Sequence, residues 1–196
     1  MIRRLGQVRI IGGRWRGTRL PVPDIGGLRP SSDRIRETLF NWLQPVLPNA
    51  RVLDLFAGTG ALGLEALSRG AAEVTLLECD PAAAHALRET IVKLQAGDRA
   101  RLLQADALGW LRGQAGRQYD SRHYDSRPYD IAFLDPPFGS GLLEGALPLL
   151  PPLLADGAWL YLESERDARL SLPDDWALHR EGQTREVQYA LYRRRG

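Results

Sequence analysis

Val52-Leu53-Asp54-Leu55-Phe56-Ala57-Gly58-Thr59-Gly60-Ala61-Leu62-Gly63 runs from an apolar stretch through a glycine-spaced turn into helix-forming residues. Val52 to Phe56 reads as a strand, and Ala61 to Arg69 as a short helix closed by Gly70. Between them the glycines satisfy the G-x-G-x-x-G spacing. Glycine at such positions lets the backbone approach a ligand closely, at a helix N-terminus whose free N–H groups face the approach.

The same alternation continues downstream. Val74-Thr75-Leu76-Leu77 is strand-like and ends at Glu78. Asp80 caps a helix with Pro81 in its first position and Leu87, Ile91 and Leu94 on its buried face, and Gly97 stops it. Arg101-Leu102-Leu103 predicts a third strand, followed by Asp106 and a short helix through Trp110-Leu111. Ile131 to Leu134 is the fourth strand. Leu142 to Leu154 reads as helical, interrupted at Pro148 and restarted at Pro151-Pro152. Ala158 to Leu162 is the fifth strand. Trp176 to Arg180 and Val187 to Tyr192 alternate like a closing antiparallel pair. Strands alternating with helices predict an α/β fold whose mostly parallel sheet carries helices on both faces. Ligands of such sheets sit at the carboxyl ends of the strands.

Upstream, Pro30-Ser31-Ser32-Asp33 offers three capping side chains for a helix start. Ile35, Leu39, Trp42 and Leu43 then recur at core-facing spacing, with Arg34, Thr38 and Asn41 opposite. Val8-Arg9-Ile10-Ile11, Gly12-Gly13 and Trp15 to Leu20 predict a small β-hairpin whose exposed face carries Arg9, Arg14, Arg16 and Arg19. A two-stranded ribbon is marginal alone, so it should lean on the main domain. Gly26-Gly27 marks a linker. The expected division is a basic hairpin extension over residues 1–27 and an α/β domain over 28–196. A tandem repeat, Tyr119-Asp120-Ser121-Arg122-His123 then Tyr124-Asp125-Ser126-Arg127-Pro128, reads as an inserted solvated loop at about 116–129.

With 196 residues and an ordinary apolar fraction, the chain suits one domain with a small appendage. No apolar run is long enough to span a membrane, and no signal-peptide pattern follows Met1. Cys79 is the sole cysteine, which rules out an internal disulfide and fits a reducing, cytoplasmic setting. His85, His123 and His179 are scattered, so no metal site is expected. Formal net charge is only +2, yet nine arginines stand against Asp24, Asp33 and Glu37 in residues 1–50. That clustering predicts an arm that binds a polyanion.

Asp135-Pro136-Pro137-Phe138 follows the fourth strand. Asp135 and the Pro136 carbonyl are pure acceptors, able to take both hydrogens of an exocyclic amine, and neither proline offers a competing N–H. Phe138 offers a stacking face for a base. The glycine loop with Glu78 fits either NAD or S-adenosylmethionine, since both need close backbone approach and an acid for a ribose. Three features favour the second. Asp54 and Phe56 precede the first glycine, where a carboxylate would repel pyrophosphate but tolerate a sulfonium and an ammonium. Asp106 suits an adenine amine. The Asp-Pro-Pro-Phe turn has no role in hydride transfer. Asp54 could equally brace the loop, and Asp106 could be a helix cap.

Asp54-Leu55-Phe56-Ala57-Gly58-Thr59-Gly60 taken with Asp135-Pro136-Pro137-Phe138 resembles the class I S-adenosylmethionine-dependent amino-methyltransferases. Val8–Gly17, Leu28–Leu43, Gly60–Gly70, Glu163-Ser164-Glu165 and Trp176–Glu181 are similar, more narrowly, to bacterial small-subunit (16S) rRNA guanine-N2 methyltransferases of the RsmD type. The resemblance implies a Rossmann-like fold, with a mostly parallel seven-stranded sheet ending in an antiparallel strand. It implies S-adenosylmethionine held by Asp54, Phe56, Gly58, Gly60, Glu78 and Asp106, with the Arg29-Pro30-Ser31 segment closing over it. Asp135, Pro136 and Phe138 would hold the target base, and Arg9, Arg14, Arg16 and Arg19 the RNA. The partner would be 16S rRNA or the small subunit, and the protein a cytoplasmic monomer. An adenine-N6 methyltransferase on DNA or RNA is the nearest alternative. An NAD-dependent oxidoreductase and a non-catalytic RNA-binding protein are alternatives of other classes.

Overall fold

The computed structural model describes residues 8–22, 32–114 and 127–196. Arg29, Ser31, the Gly26-Gly27 linker and the repeat up to Ser126 lie outside the described residues.

The hairpin consists of β1 (Val8–Arg9) and β2 (Arg19–Leu20), with Val8 opposite Leu20 and Arg9 opposite Arg19. Its strands are shorter than the alternation suggested, because Gly13–Trp15 forms a 3₁₀ turn. Val8, Ile10, Trp15 and Leu20 are buried, which is what a marginal ribbon requires. Helix α1 (Asp33–Leu43) starts at Ser32, whose hydroxyl accepts from the Ile35 N–H at 3.3 Å. Its buried face is Ile35, Arg36, Leu39, Phe40 and Leu43. Trp42 is only half-buried and stacks on Tyr189, with ring centroids 5.7 Å apart.

The rest alternates: β3 (Arg51–Asp54), α2 (Ala61–Ser68), β4 (Glu73–Glu78), α3 (Pro81–Lys93), β5 (Ala100–Gln104), α4 (Ala107–Gln114), β6 (Tyr129–Leu134), α5 (Leu142–Ala146), β7 (Leu154–Glu165), β8 (Trp176–Gln183) and β9 (Val187–Arg194). Asp80 caps α3 as its position beside Pro81 predicts, accepting from the Ala82 and Ala83 N–H groups. The segment read as one interrupted helix is α5 followed by two 3₁₀ turns, at Leu147–Leu149 and Pro151–Leu153, each with a proline that cannot donate. No helix of the described residues is long and apolar enough to cross a membrane.

The seven strands lie in the order β5-β4-β3-β6-β7-β9-β8. Pairings from β5 through β7 are parallel, and β9 runs antiparallel to both neighbours. Central strands are apolar on both sides, as a sheet covered on both faces requires. One core joins the hairpin, α1, α2 and α3 to the sheet through Leu39, Phe40, Leu64, Leu87 and Phe133. The other joins α4 and α5 through Leu53, Leu111, Leu134, Leu143 and Leu160. Parallel strands deliver their carboxyl ends to one edge, so the loops after β3, β4, β5 and β6 assemble there.

Candidate active site

The glycine loop begins where β3 ends. Its backbone is tied to β4 by the Ala57 N–H donating to the Leu77 carbonyl at 2.8 Å. Gly58 and Gly60 have φ of 52° and 77°, in the left-handed region that glycine enters without strain. Gly60 has no capping side chain, so the N-terminus of α2 takes its acceptor from the strand: the Gly63 N–H donates to Asp54 Oδ2 at 3.0 Å. Gly63 is needed for that approach, since a Cβ there would lie 2.4 Å from Leu76 and 3.2 Å from Asp54 Oδ2.

Asp54 is therefore a buried brace that shapes the loop. Burial pushes its carboxyl up to about 7; N–H donors from Gly63 and Phe56 pull it part of the way back, and the nearby charge of Glu78 adds to the rise. Phe56 is half-buried at the turn.

Glu78 ends β4 beside the loop. Its Oε2 accepts from the Gly58 N–H at 2.8 Å and its Oε1 from the Asp80 N–H at 2.7 Å. The next strand brings in Asp106. Glu78 is in register with Gln104, and the Ala105 N–H donates to the Glu78 carbonyl at 3.1 Å. Asp106 follows, exposed, with Oδ2 accepting from the Gly109 N–H at 2.6 Å in the first turn of α4. Asp106 thus caps a helix while standing at the strand edge where Glu78 stands. Cys79 lies between these acids: burial first, then the charges of Glu78 and Asp106, push its thiol up. Two carboxylates, Glu78 and Asp106, at the edge of a glycine turn suit a cationic, ribose-bearing ligand better than a pyrophosphate, so the residues present fit S-adenosylmethionine.

On the other side of β3, Asp54 is in register with Phe133, and the Leu55 N–H donates to the Phe133 carbonyl at 3.2 Å. Asp135 stands two residues beyond Phe133, half-buried, followed by buried Pro136 and half-buried Phe138. The glycine loop and the Asp-Pro-Pro-Phe turn thus leave adjacent strands at the same sheet edge. Beneath them Phe133 meets Phe40 and Tyr161 edge-on, at centroid distances of 6.0 and 6.3 Å.

Sequence reasoning passed over Tyr161 as a strand residue. Its hydroxyl donates to the buried Glu163 Oε2 at 2.9 Å. Burial, with the charges of Glu163 and Asp135, pushes the phenol well above 10. The Asp135 charge is thus felt at the buried Tyr161 hydroxyl of β7, which donates to Glu163. The only sequence signal was Glu163-Ser164-Glu165 at a strand end.

The arm arginines lie elsewhere. Arg9 is exposed and its Nε pairs with Asp33 at 3.0 Å, near the start of α1. Arg14, Arg16 and Arg19 are exposed on the hairpin. None is brought into the space between the glycine loop and Asp135.

Residues 8–193 match the family model described as conserved hypothetical protein 95. The chain is 50% identical over 192 residues to ribosomal RNA small subunit methyltransferase D of Escherichia coli K12, covering 96% of this chain and 91% of the relative. It is 41% identical to the protein of the same name from Haemophilus influenzae, covering 95% and 94%. A solved Escherichia coli structure assigned as a methyltransferase, yhhF, superposes with a TM-score of 0.83 at 48% identity, over 97% of this chain and 99% of the other.

Proposed function

We propose, from the premise that this chain belongs to the conserved hypothetical protein 95 (RsmD) family of methyltransferases, that it methylates the exocyclic N2 amine of a guanine in small-subunit (16S) ribosomal RNA, with S-adenosylmethionine as donor. The observation that carries this reading is the departure of the glycine loop and the Asp135-Pro136-Pro137-Phe138 turn from neighbouring strands at one sheet edge. The names of the full-length relatives support the rRNA substrate.

In this reading Gly58, Gly60, Glu78 and Asp106 hold the cofactor, and Asp54 and Phe56 shape its loop. Arg29 and Ser31 complete the set of residues assigned to the cofactor. Bound there, S-adenosylmethionine supplies an electrophilic methyl on a sulfonium. Asp135 and the Pro136 carbonyl accept the two amine hydrogens of guanine. That rotates and pyramidalises a nitrogen whose lone pair is otherwise delocalised into the ring. The lone pair then points along the line of attack, so positioning supplies most of the catalysis. The target base must leave its stack to enter, and the face of Phe138 offsets part of that cost. Arg9, Arg14, Arg16 and Arg19 hold backbone phosphates. The protein acts as a cytoplasmic monomer, needs no metal, and takes 16S rRNA or the small subunit as substrate.

Mass spectrometry of 16S rRNA nucleosides from a deletion strain tests the reading. Loss of N2-methylguanosine at one site, restored by the wild-type gene and not by an Asp135→Ala gene, is the expected result. Loss of an N6-methyladenosine instead would transfer the reading to the other amine that the turn can grip.

A further inference from the structure

We propose that Arg99 is an RNA-binding residue, forming with Arg14 a phosphate-gripping pair across Trp15 at the far end of the arm. The inference deepens the rRNA methyltransferase reading and rests on it.

Trp15 is nearly buried, and its backbone N–H donates to Ser68 Oγ at 2.9 Å, on the last residue of α2. The arm is pinned there. Ile11 and Gly12 donate their N–H groups to the two oxygens of Glu65, at 2.6 and 2.7 Å, and Ser68 Oγ donates to the Gly12 carbonyl at 2.6 Å. Gly13, with φ of 75°, passes so close that a Cβ would lie 1.9 Å from the Ser68 carbonyl oxygen.

Two guanidiniums converge on this seated indole. Arg14 and Arg99, one from the arm and one from the loop entering β5, each lie 5.9 Å from the Trp15 ring centroid. Of the arginines near the hairpin, Arg9 pairs with Asp33, and Arg69 and Arg36 with Glu65. Neither Arg14 nor Arg99 forms an ion pair with a carboxylate among the described residues. Two cations held against one indole raise the local positive potential, which draws an anion to that surface. Two planar forks suit phosphate oxygens, while the ring fixes their positions. Exposed Arg16 and Arg19 continue the basic surface along the arm.

Two rulers place the pair relative to the cofactor loop. Val74 N–H donates to the Arg99 carbonyl at 2.8 Å, near the start of the strand that ends at Glu78. Four residues of strand span about 13 Å. Trp15 sits at the end of α2, whose first turn opens the loop, and seven helical steps span about 10 Å. Arg99 therefore cannot touch the reacting base. It grips RNA backbone equally before and during methyl transfer, which is uniform binding and belongs to KM rather than kcat.

The test titrates a 16S rRNA fragment against wild type, Arg99→Ser and Arg99→Lys over a salt series, with methyl-transfer kinetics alongside. Arg99→Ser is expected to weaken RNA binding several-fold and to lower the slope of log K against log[salt] by about 0.7–0.9. Its loss should sit in KM, and Arg99→Lys should keep most of the slope. Thermal unfolding and S-adenosylhomocysteine affinity matching wild type show that the fold and cofactor loop are intact. A wild-type slope and KM in Arg99→Ser overturns the inference. So does a loss seen only with assembled subunits, which would make Arg99 a contact to ribosomal protein. If wild type binds RNA and Arg99→Ser lowers its slope, but neither 16S rRNA nor the small subunit is methylated, the functional reading fails while this one stands.

Discussion

At the scale of single residues, two aspartates placed at strand ends do different work. Asp135 stands where it can accept from a substrate amine, on a rigid turn next to the Tyr161–Glu163 pair. Asp135→Ala is expected to lower kcat by about 10²-fold or more, because the amine loses its orientation. The affinity for S-adenosylhomocysteine, read by calorimetry, should change little. Asp54 is internal and braces α2 through Gly63. Its carboxyl is raised from an ordinary 3.8 to about 7. Between those values the folded chain holds a proton that the unfolded chain has released. Stability from this group is therefore full below 3.8, declines as pH rises through the window, and levels off above about 7. Asp54→Asn cannot titrate, so any stability advantage of wild type over the variant should shrink from pH 4 toward pH 7. Denaturant unfolding across that range checks it, and a constant difference would contradict the assignment.

At the scale of elements, α2 is the hub. Its first turn carries the cofactor loop and its last turn carries the arm. Glu65, fully buried in its middle, accepts from Ile11, Gly12 and the Arg69 side chain, and its Oε2 lies 3.8 Å from Arg36 Nη1. Arg36 is itself fully buried, with Nη2 on Asp33 at 2.6 Å and, among the described residues, no hydrogen bond at Nε or Nη1. A buried cation so placed depends on its one buried anion. Glu65→Ala should cost roughly 3–5 kcal/mol, since it strands the guanidinium and two hairpin N–H groups. Hydrogen exchange should show Ile11 and Gly12 losing protection before the central strands do. Equal loss across the sheet would mean that Glu65 serves the whole domain rather than the arm.

At the scale of the whole molecule, a nearly neutral chain carries a local excess of arginine in its arm, and the arm is locked to α2. Replacing Arg14, Arg16 and Arg19 together with serine should lower the RNA salt slope by about two units, leaving cofactor affinity unchanged; filter binding over a salt series reads the first and calorimetry the second. The α/β alternation, the glycine loop, the helix start at Pro30-Ser31-Ser32-Asp33, the Asp80 cap and the antiparallel closing pair were all legible in the sequence, because each rests on local periodicity or on a residue acting within a few positions of itself; which of three candidate side chains caps the first helix was not. So was the chemical character of Asp135-Pro136-Pro137-Phe138, whose acceptors and missing donors are properties of the residues themselves. What the linear order left hidden was partnership at a distance. Nothing near Glu65 in the chain announces a hairpin more than fifty residues away, nothing around Tyr161 announces Asp135, and Arg99 meets Trp15 only because β4 and β5 enter the sheet beside the end of α2. Those pairings follow from which strands adjoin and how closely backbones can pass. Only the folded sheet decides that, because a buried carboxylate or an unpaired guanidinium takes its energy from whatever the tertiary packing sets against it.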